Sequence, residues 1–387
     1  MPFSAFDRTD NRPKRAREPS FQFLDRSARP EMAAVREVII DAISRYPVAE
    51  RDELVARLRS GNETHFRSGT FELFLHEALM RLGFTLIPHP DPGTGVSKRP
   101  DFLVTAPDGN QFVLEAVLAS ERDGSSEAAE AMKAATFDHI NATPHHSFMI
   151  EVSGEGNPIT QPPAAALRTA VHQWLDTLDY QQLRAQFEGN AAFDRMPVLH
   201  WEHEAWQLDL RAIPLSPERR GKAQQLIGLH DVEFRWVNAC EPLRNAVKKK
   251  GNRYGPLAVP YVVAVNADIF HLDNIDEVQA LYGEEYWSEA ISHPELSGPR
   301  RYANGAWRGP HGPQHRTVSA VWFFNDLTPT TLAQRHSTLY LNPWAFHPLP
   351  SNLITVPTCF VSADRLERLP GRPLASILGL SAHWPGQ

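Results

Sequence analysis

The sequence predicts an α/β protein: an α-β-β-β-α-β core over residues 65–153, helices ahead of it and a second α/β region behind it. Three observations carry that expectation. Apolar residues recur at helical spacing between Pro30 and Gly83. Three short apolar runs follow, two of them flanking the turn sequence PDGN. A helical run and one more apolar strand then complete a unit of ordinary α/β size.

Residues 1–30 are polar, proline-bearing and basic around PKRAR, which suits a flexible tail or an arm that touches nucleic acid. Two helices are expected in 31–64. EMAAVREVIIDAISRY stops before Pro47, and ERDELVARLRS ends at Gly61-Asn62. The third helix, THFRSGTFELFLHEALMRLGF, sets Phe71, Phe74, Leu75, Ala78, Leu79 and Leu82 on one broad face and stops at Gly83. FTLIPH, PDFLVTA and QFVLEAVL read as strands, SSEAAEAMKAATFDHIN as a helix and HSFMIEVSG as a strand. After the proline-rich GNPITQPPAAA, residues 154–387 mix elements without announcing a role. VLHWEHEAWQLDLRAIPL alternates like strands, NACEPLRNAVKKKGNRYG looks helical, and PYVVAVNA, VSAVWFFND and STLYLNPWA are apolar strands.

Composition narrows the function classes. The 387 residues are 42% hydrophobic and 22% charged, with a formal charge of −7. That balance argues against a broadly basic nucleic-acid surface and leaves local patches open. Two cysteines, Cys240 and Cys359, build neither a disulfide framework nor a zinc cluster, which suits a reducing cytoplasm. No apolar leader or membrane-length run is present, so a cytoplasmic protein with no membrane partner is expected.

The chemistry concentrates in RPDFLVTAPDGNQFVLEAVLAS. Glu115 interrupts an apolar run, and a buried carboxylate without a partner costs several kcal/mol or neutralises itself. With a three-residue PDG loop, opposed residue numbers sum to 216 and Asp101 lies opposite Glu115 on one face. Like charges there call for a cation between them, and hard carboxylate oxygens suit magnesium or manganese. A two-residue Asp-Gly turn would place the acids on opposite faces; the sequence permits either turn.

An acid after proline, a second acid inside the next apolar strand and the α-β-β-β-α-β order together resemble the PD-(D/E)xK, or restriction-endonuclease-like, nuclease superfamily. TFELFLHEALMRLGF is similar to the first helix of its resolvase and restriction-endonuclease branches, with Glu72 as the FE acid and Gly83-Phe84 eleven residues on. The resemblance covers residues 65–153, under a quarter of the chain. It implies a metal-dependent endonuclease hydrolysing phosphodiester bonds in DNA, in restriction or mobile-element defence. Asp101 and Glu115 match the acids that hold Mg2+ or Mn2+, and Glu72 is a further catalytic candidate. The family's lysine, two residues after the second acid, is Val117 here. Lys98 and Lys133 are the nearby candidates to replace it, Lys98 being closer by chain continuity. The departure keeps an alternative alive: a catalytically degenerate nucleic-acid-binding or scaffold subunit that works with a protein partner.

Two stretches are candidate phosphate contacts. LRNAVKKKGNRYG offers Lys248, Lys249, Lys250 and Arg253, with Tyr254 to stack on a base. Cations also favour helix C-termini for purely local reasons. GPRRYANGAWRGPHG adds Arg300 and Arg301 among aromatics. The 17 histidines form no HExxH or Cys-His pattern, and GxGxxG, GxxxxGK[ST] and GxSxG are all missing.

Overall fold

The structure, a computed structural model, describes residues 2–120, 127–187, 195–230, 240–269, 272–288, 298–362 and 365–386. The chain forms two compact units. Unit 1 is Met1–Asp10, Pro19–Asp123 and Asn238–Gln387, and unit 2 is Asn11–Glu18 and Gly124–Val237. Unit 2 is therefore drawn from two segments, each interrupting the sequence of unit 1.

Unit 1 opens with helices α1 (Ser20–Arg26), α2 (Pro30–Arg45), α3 (Arg51–Arg59) and α4 (Glu63–Arg81), then strands β1 (Thr85–Pro88), β2 (Phe102–Thr105) and β3 (Gln111–Ser120). Unit 2 holds α5 (Glu127–Asn141), β4 (Phe148–Glu155), α6 (Ala164–Asp176), α7 (Tyr180–Gln186), β5 (Val198–His203), β6 (Trp206–Pro214) and β7 (Ile227–His230). Unit 1 resumes with α8 (Cys240–Gly251), β8 (Tyr261–Asp268) and α9 (Asn274–Tyr282). Two small hairpins follow, β9 (Glu285–Ser288) with β10 (Gly298–Arg301) and β11 (Arg308–Gly309) with β12 (Gly312–Pro313). β13 (Ala320–Asn325), β14 (Ser337–Leu341), β15 (Thr358–Ser362), β16 (Arg365–Leu369) and α10 (Leu374–Leu378) end the chain.

The large sheet of unit 1 runs β1-β2-β3-β8-β13-β14-β15-β16. β3, β8 and β13 are mutually parallel, and the flanking β1-β2-β3 and β13-β14 pairings are antiparallel. Its central strands are apolar on both faces, as strands covered by helices on both sides must be. Even-numbered residues of β3, β8 and β13, such as Leu114, Val262 and Trp322, share a core with Ile39, Leu58, Phe71 and Leu75 from α2, α3 and α4. Odd-numbered ones, such as Val113, Val263 and Phe323, share the opposite core with Leu243 and Val247 of α8 and Val278 of α9. Among the described residues no helix is long and apolar enough to cross a membrane.

Unit 2 is a four-stranded sheet, β5-β6-β4-β7. Phe148, Ile150 and Val152 of β4 and Leu208, Leu210 and Ala212 of β6 pack with Leu167, Val171 and Leu175 of α6.

Three expectations are corrected. The helix and strand expected to complete the core, now α5 and β4, belong to unit 2, so neither 65–153 nor 154–387 is a structural unit. On the side away from β2, β3 is joined by β8, in parallel. Residues 1–30 are not a free tail: Phe3 stacks on Phe21 at 5.2 Å, and Phe21 and Leu24 of α1 are buried. FQFL supplies enough apolar surface to hold that segment on the core.

The β2–β3 turn is the three-residue one. Ala106 N donates to Asn110 O and Gly109 N to Ala106 O, at 2.8 and 2.9 Å, around Pro107-Asp108-Gly109. Gly109 has φ +88°, the left-handed position such a loop requires. Nothing lies within 4 Å of where its Cβ would sit. Gly109→Ala is therefore expected to lower stability by about 1–2 kcal/mol through backbone strain alone. Chemical denaturation measures it.

Candidate active site

The three-residue turn fixes the register. Phe102 pairs with Leu114 and Leu103 with Val113, each pair summing to 216, so Asp101, one step beyond β2, comes to Glu115. Asp101 Oδ2 accepts from the backbone N–H of Ala116 at 2.6 Å. Both acids have the parity of Leu103 and Val113, which puts them on the α8 face of the sheet. Val117 shares that face and packs into its apolar core.

A lysine does reach the pair, and from an element that sequence proximity did not suggest. Lys250, in the last turn of α8, places Nζ 2.5 Å from Glu115 Oε1. The side chain of Glu115 is 3% exposed and that of Lys250 11%. The Tyr254 hydroxyl, also buried, contacts Glu115 Oε2 and lies 3.1 Å from the carbonyl oxygen of Arg99. Arg253 adds positive charge with Nε 3.7 Å from Glu115 Oε1, beyond hydrogen-bonding distance. Tyr254 is held neutral: burial and then the hydrogen bond and charge of Glu115 push its phenol well above the usual range.

Asp101 carries the electrostatic strain. Burial first, then the negative charges of Glu115 and Glu72, push its carboxyl up to about 7, against the pull of the Ala116 N–H and Lys250. Lys250 thus compensates Glu115 directly and Asp101 only in part.

Glu72 approaches from α4, whose apolar residues fill the other core. Its oxygens are already engaged, Oε1 by the Tyr46 hydroxyl at 2.5 Å and Oε2 by Arg57 Nη2 at 2.6 Å. Its carboxylate acts on Asp101 through charge. Glu77, further along α4, is a buried acid held by Arg45 and Arg81 at 2.7 and 2.5 Å.

The other sequence candidates separate. Lys98 is exposed. Lys133 lies in unit 2, 3.5 Å from Glu130. Lys250 and Tyr254, expected at a phosphate surface, are buried against Glu115 and cannot serve there; Tyr254 has no open ring face for a base. Lys249 is exposed and Lys248 half-buried, its ammonium pKa lowered by burial and by Arg244. Arg301 is tied to Gly283 O and Glu285, at 2.9 and 2.8 Å, while Arg300 is exposed. Trp307 is fully buried, whereas Tyr302 is exposed beside Arg300.

A signal for Lys250 existed. Leu243 and Val247 mark the buried stripe of α8, and Lys250 falls three residues after Val247 on the same stripe, whereas Lys248 and Lys249 fall off it. Tyr254 follows four residues later.

Among the described residues no group of three or more His, Cys, Asp and Glu is gathered for a metal ion. The two carboxylates still fit magnesium or manganese, which keep several waters and need only one or two protein carboxylates. The charge crowding that raises Asp101 is the kind a cation relieves. Compared with known proteins, the chain matches no family model, no curated protein and no solved structure.

Proposed function

We propose that this chain is a metal-dependent nuclease that hydrolyses phosphodiester bonds in DNA, in the setting of restriction or mobile-element defence. One observation carries the reading: a buried lysine ammonium meets the second acid of the Asp101–Glu115 pair, although the strand position for it is Val117. With unit 2 skipped, α4, β1, β2, β3, α8 and β8 also repeat the order helix, three strands, helix, strand.

A divalent cation at the two acids would supply Lewis acidity toward a phosphodiester oxygen and lower the pKa of a bound water. The chain supplies the rest. Asp101 and Glu115 present hard oxygens; the Ala116 N–H fixes one carboxylate and Tyr254 orients the other. Lys250 stands where an ammonium can steady developing negative charge or hydrogen-bond a nucleophilic water. Arg253, Lys249 and Arg300 are the remaining candidates to meet DNA phosphates.

The test is cleavage of plasmid and linear DNA by the full chain. Magnesium-dependent cleavage that disappears with a chelator and in Glu115→Gln is expected. Cleavage that survives both Asp101→Ala and Glu115→Ala would place the chemistry elsewhere. A second reading, a non-catalytic module serving a partner, is favoured by the engagement of both Glu115 oxygens with protein donors. Its outcome is DNA binding with neither cleavage nor cation binding by calorimetry.

A further inference from the structure

The two edges of the unit 1 sheet are not alike. β1 is four residues long and ends in Pro88, which has no N–H to offer a further strand. Among the described residues β16 pairs only with β15; it has no proline within it and exposes all five residues, Arg365, Leu366, Glu367, Arg368 and Leu369. Leu366 and Leu369 are 38% and 40% exposed, although both are apolar. An edge of this kind is open to addition of a strand.

The sequence of β16 selects the strand. Two copies related by a two-fold axis through the sheet pair antiparallel, and directly opposed residues then share a face, so their numbers sum to an even value. Centred on Leu366, the pairing sets Arg365 opposite Glu367 twice, flanking a Leu366–Leu366 contact. Centred on Glu367, it opposes the two Glu367 carboxylates; centred on Arg368, it opposes two guanidinium groups. Opposite charges stabilise a cross-strand pair and like charges destabilise it, so only the Leu366-centred register is complementary. We infer that β16 is a self-association edge through which two copies of this chain join their sheets, with Leu366 on the two-fold axis. The inference stands independently of the nuclease reading.

The charge pattern gives a test no general stickiness would pass. Sedimentation of the full chain over a concentration series should show the mass doubling. Arg365→Glu alone sets a carboxylate opposite each Glu367, and Glu367→Arg alone opposes guanidinium to guanidinium, so each variant is expected to be monomeric. Mixed together, the two variants restore both pairs in a heterodimer, and the doubled mass returns. The double variant Arg365→Glu/Glu367→Arg self-associates like wild type. A wild type that stays monomeric throughout the series overturns the inference. So does a dimer indifferent to both single reversals, or a mixture that fails to rescue. Circular dichroism of each variant separates loss of pairing from loss of fold.

Discussion

Lys250→Met is expected to lower the unfolding free energy by about 3–5 kcal/mol, the penalty for leaving a buried carboxylate without its counter-charge. The side chains concerned are almost wholly out of water, and among the described residues the ammonium supplies the one short charged contact to Glu115. Arg253, at 3.7 Å, is too far to replace that bond. Most of the loss should return in Lys250→Met/Glu115→Gln, because a neutral amide no longer needs the ammonium and can still accept from Tyr254. Denaturant melts of the four members of this double-mutant cycle measure the coupling. If the double variant is as unstable as the sum of the singles, the contact is not the stabilising one. Cleavage should be lost in both variants, so stability and activity part company in the double variant.

Asp101→Asn is expected to stabilise the chain above neutral pH. The Asp101 carboxyl is pushed from 3.8 to about 7, so the folded chain binds this proton more tightly than the unfolded chain does. The contribution is fully favourable below about 4 and is lost as pH rises toward about 7, where the half-buried carboxylate must ionise beside two others. The residue is partly exposed, which discounts the effect to about 1–3 kcal/mol. Asparagine still accepts from the Ala116 N–H and carries no charge. Glu277, buried and pushed up to about 7, contributes with the same sign, so the comparison is between wild type and variant at each pH. Unchanged slopes in the two proteins between pH 4 and 7 would contradict the charge-crowding account. The same proton gives a second readout: magnesium bound at pH 6 should release about one proton from wild type, and markedly fewer from Asp101→Asn.

The sequence was most legible where local rules and burial agreed. The hairpin about PDGN was legible with two turns open to it, and the structure has the three-residue one. The stop of α4 was equally plain: Gly83 turns left-handed just beyond its end. Partner choice was not legible. A helix followed by an apolar strand looks the same whichever sheet it joins, so α5 and β4 passed for the completion of the core, whereas β4 pairs with β6 and the strand parallel to β3 is β8. Lys250 was misplaced for a related reason. A run of three lysines at a helix end suggests solvent, and only the phase of the stripe through Leu243 and Val247 distinguishes the buried one. The burial of Glu72 with Tyr46 and Arg57 depends on three helices meeting, information that no single segment contains.

The interruption of unit 1 by unit 2 also sets a timetable. Glu115 and Lys250 are separated by 135 positions, so a chain growing on the ribosome exposes both acids long before their ammonium exists. The hairpin carrying Asp101 and Glu115 can form early from neighbouring residues, whereas docking of α8 must close a loop that spans Gly124–Val237 of unit 2. Early folding of unit 2 would shorten that loop to its two connections and speed the closure. Assembly of the charge constellation is thereby deferred to a late event in biosynthesis, and a chain truncated before α8 is born without it.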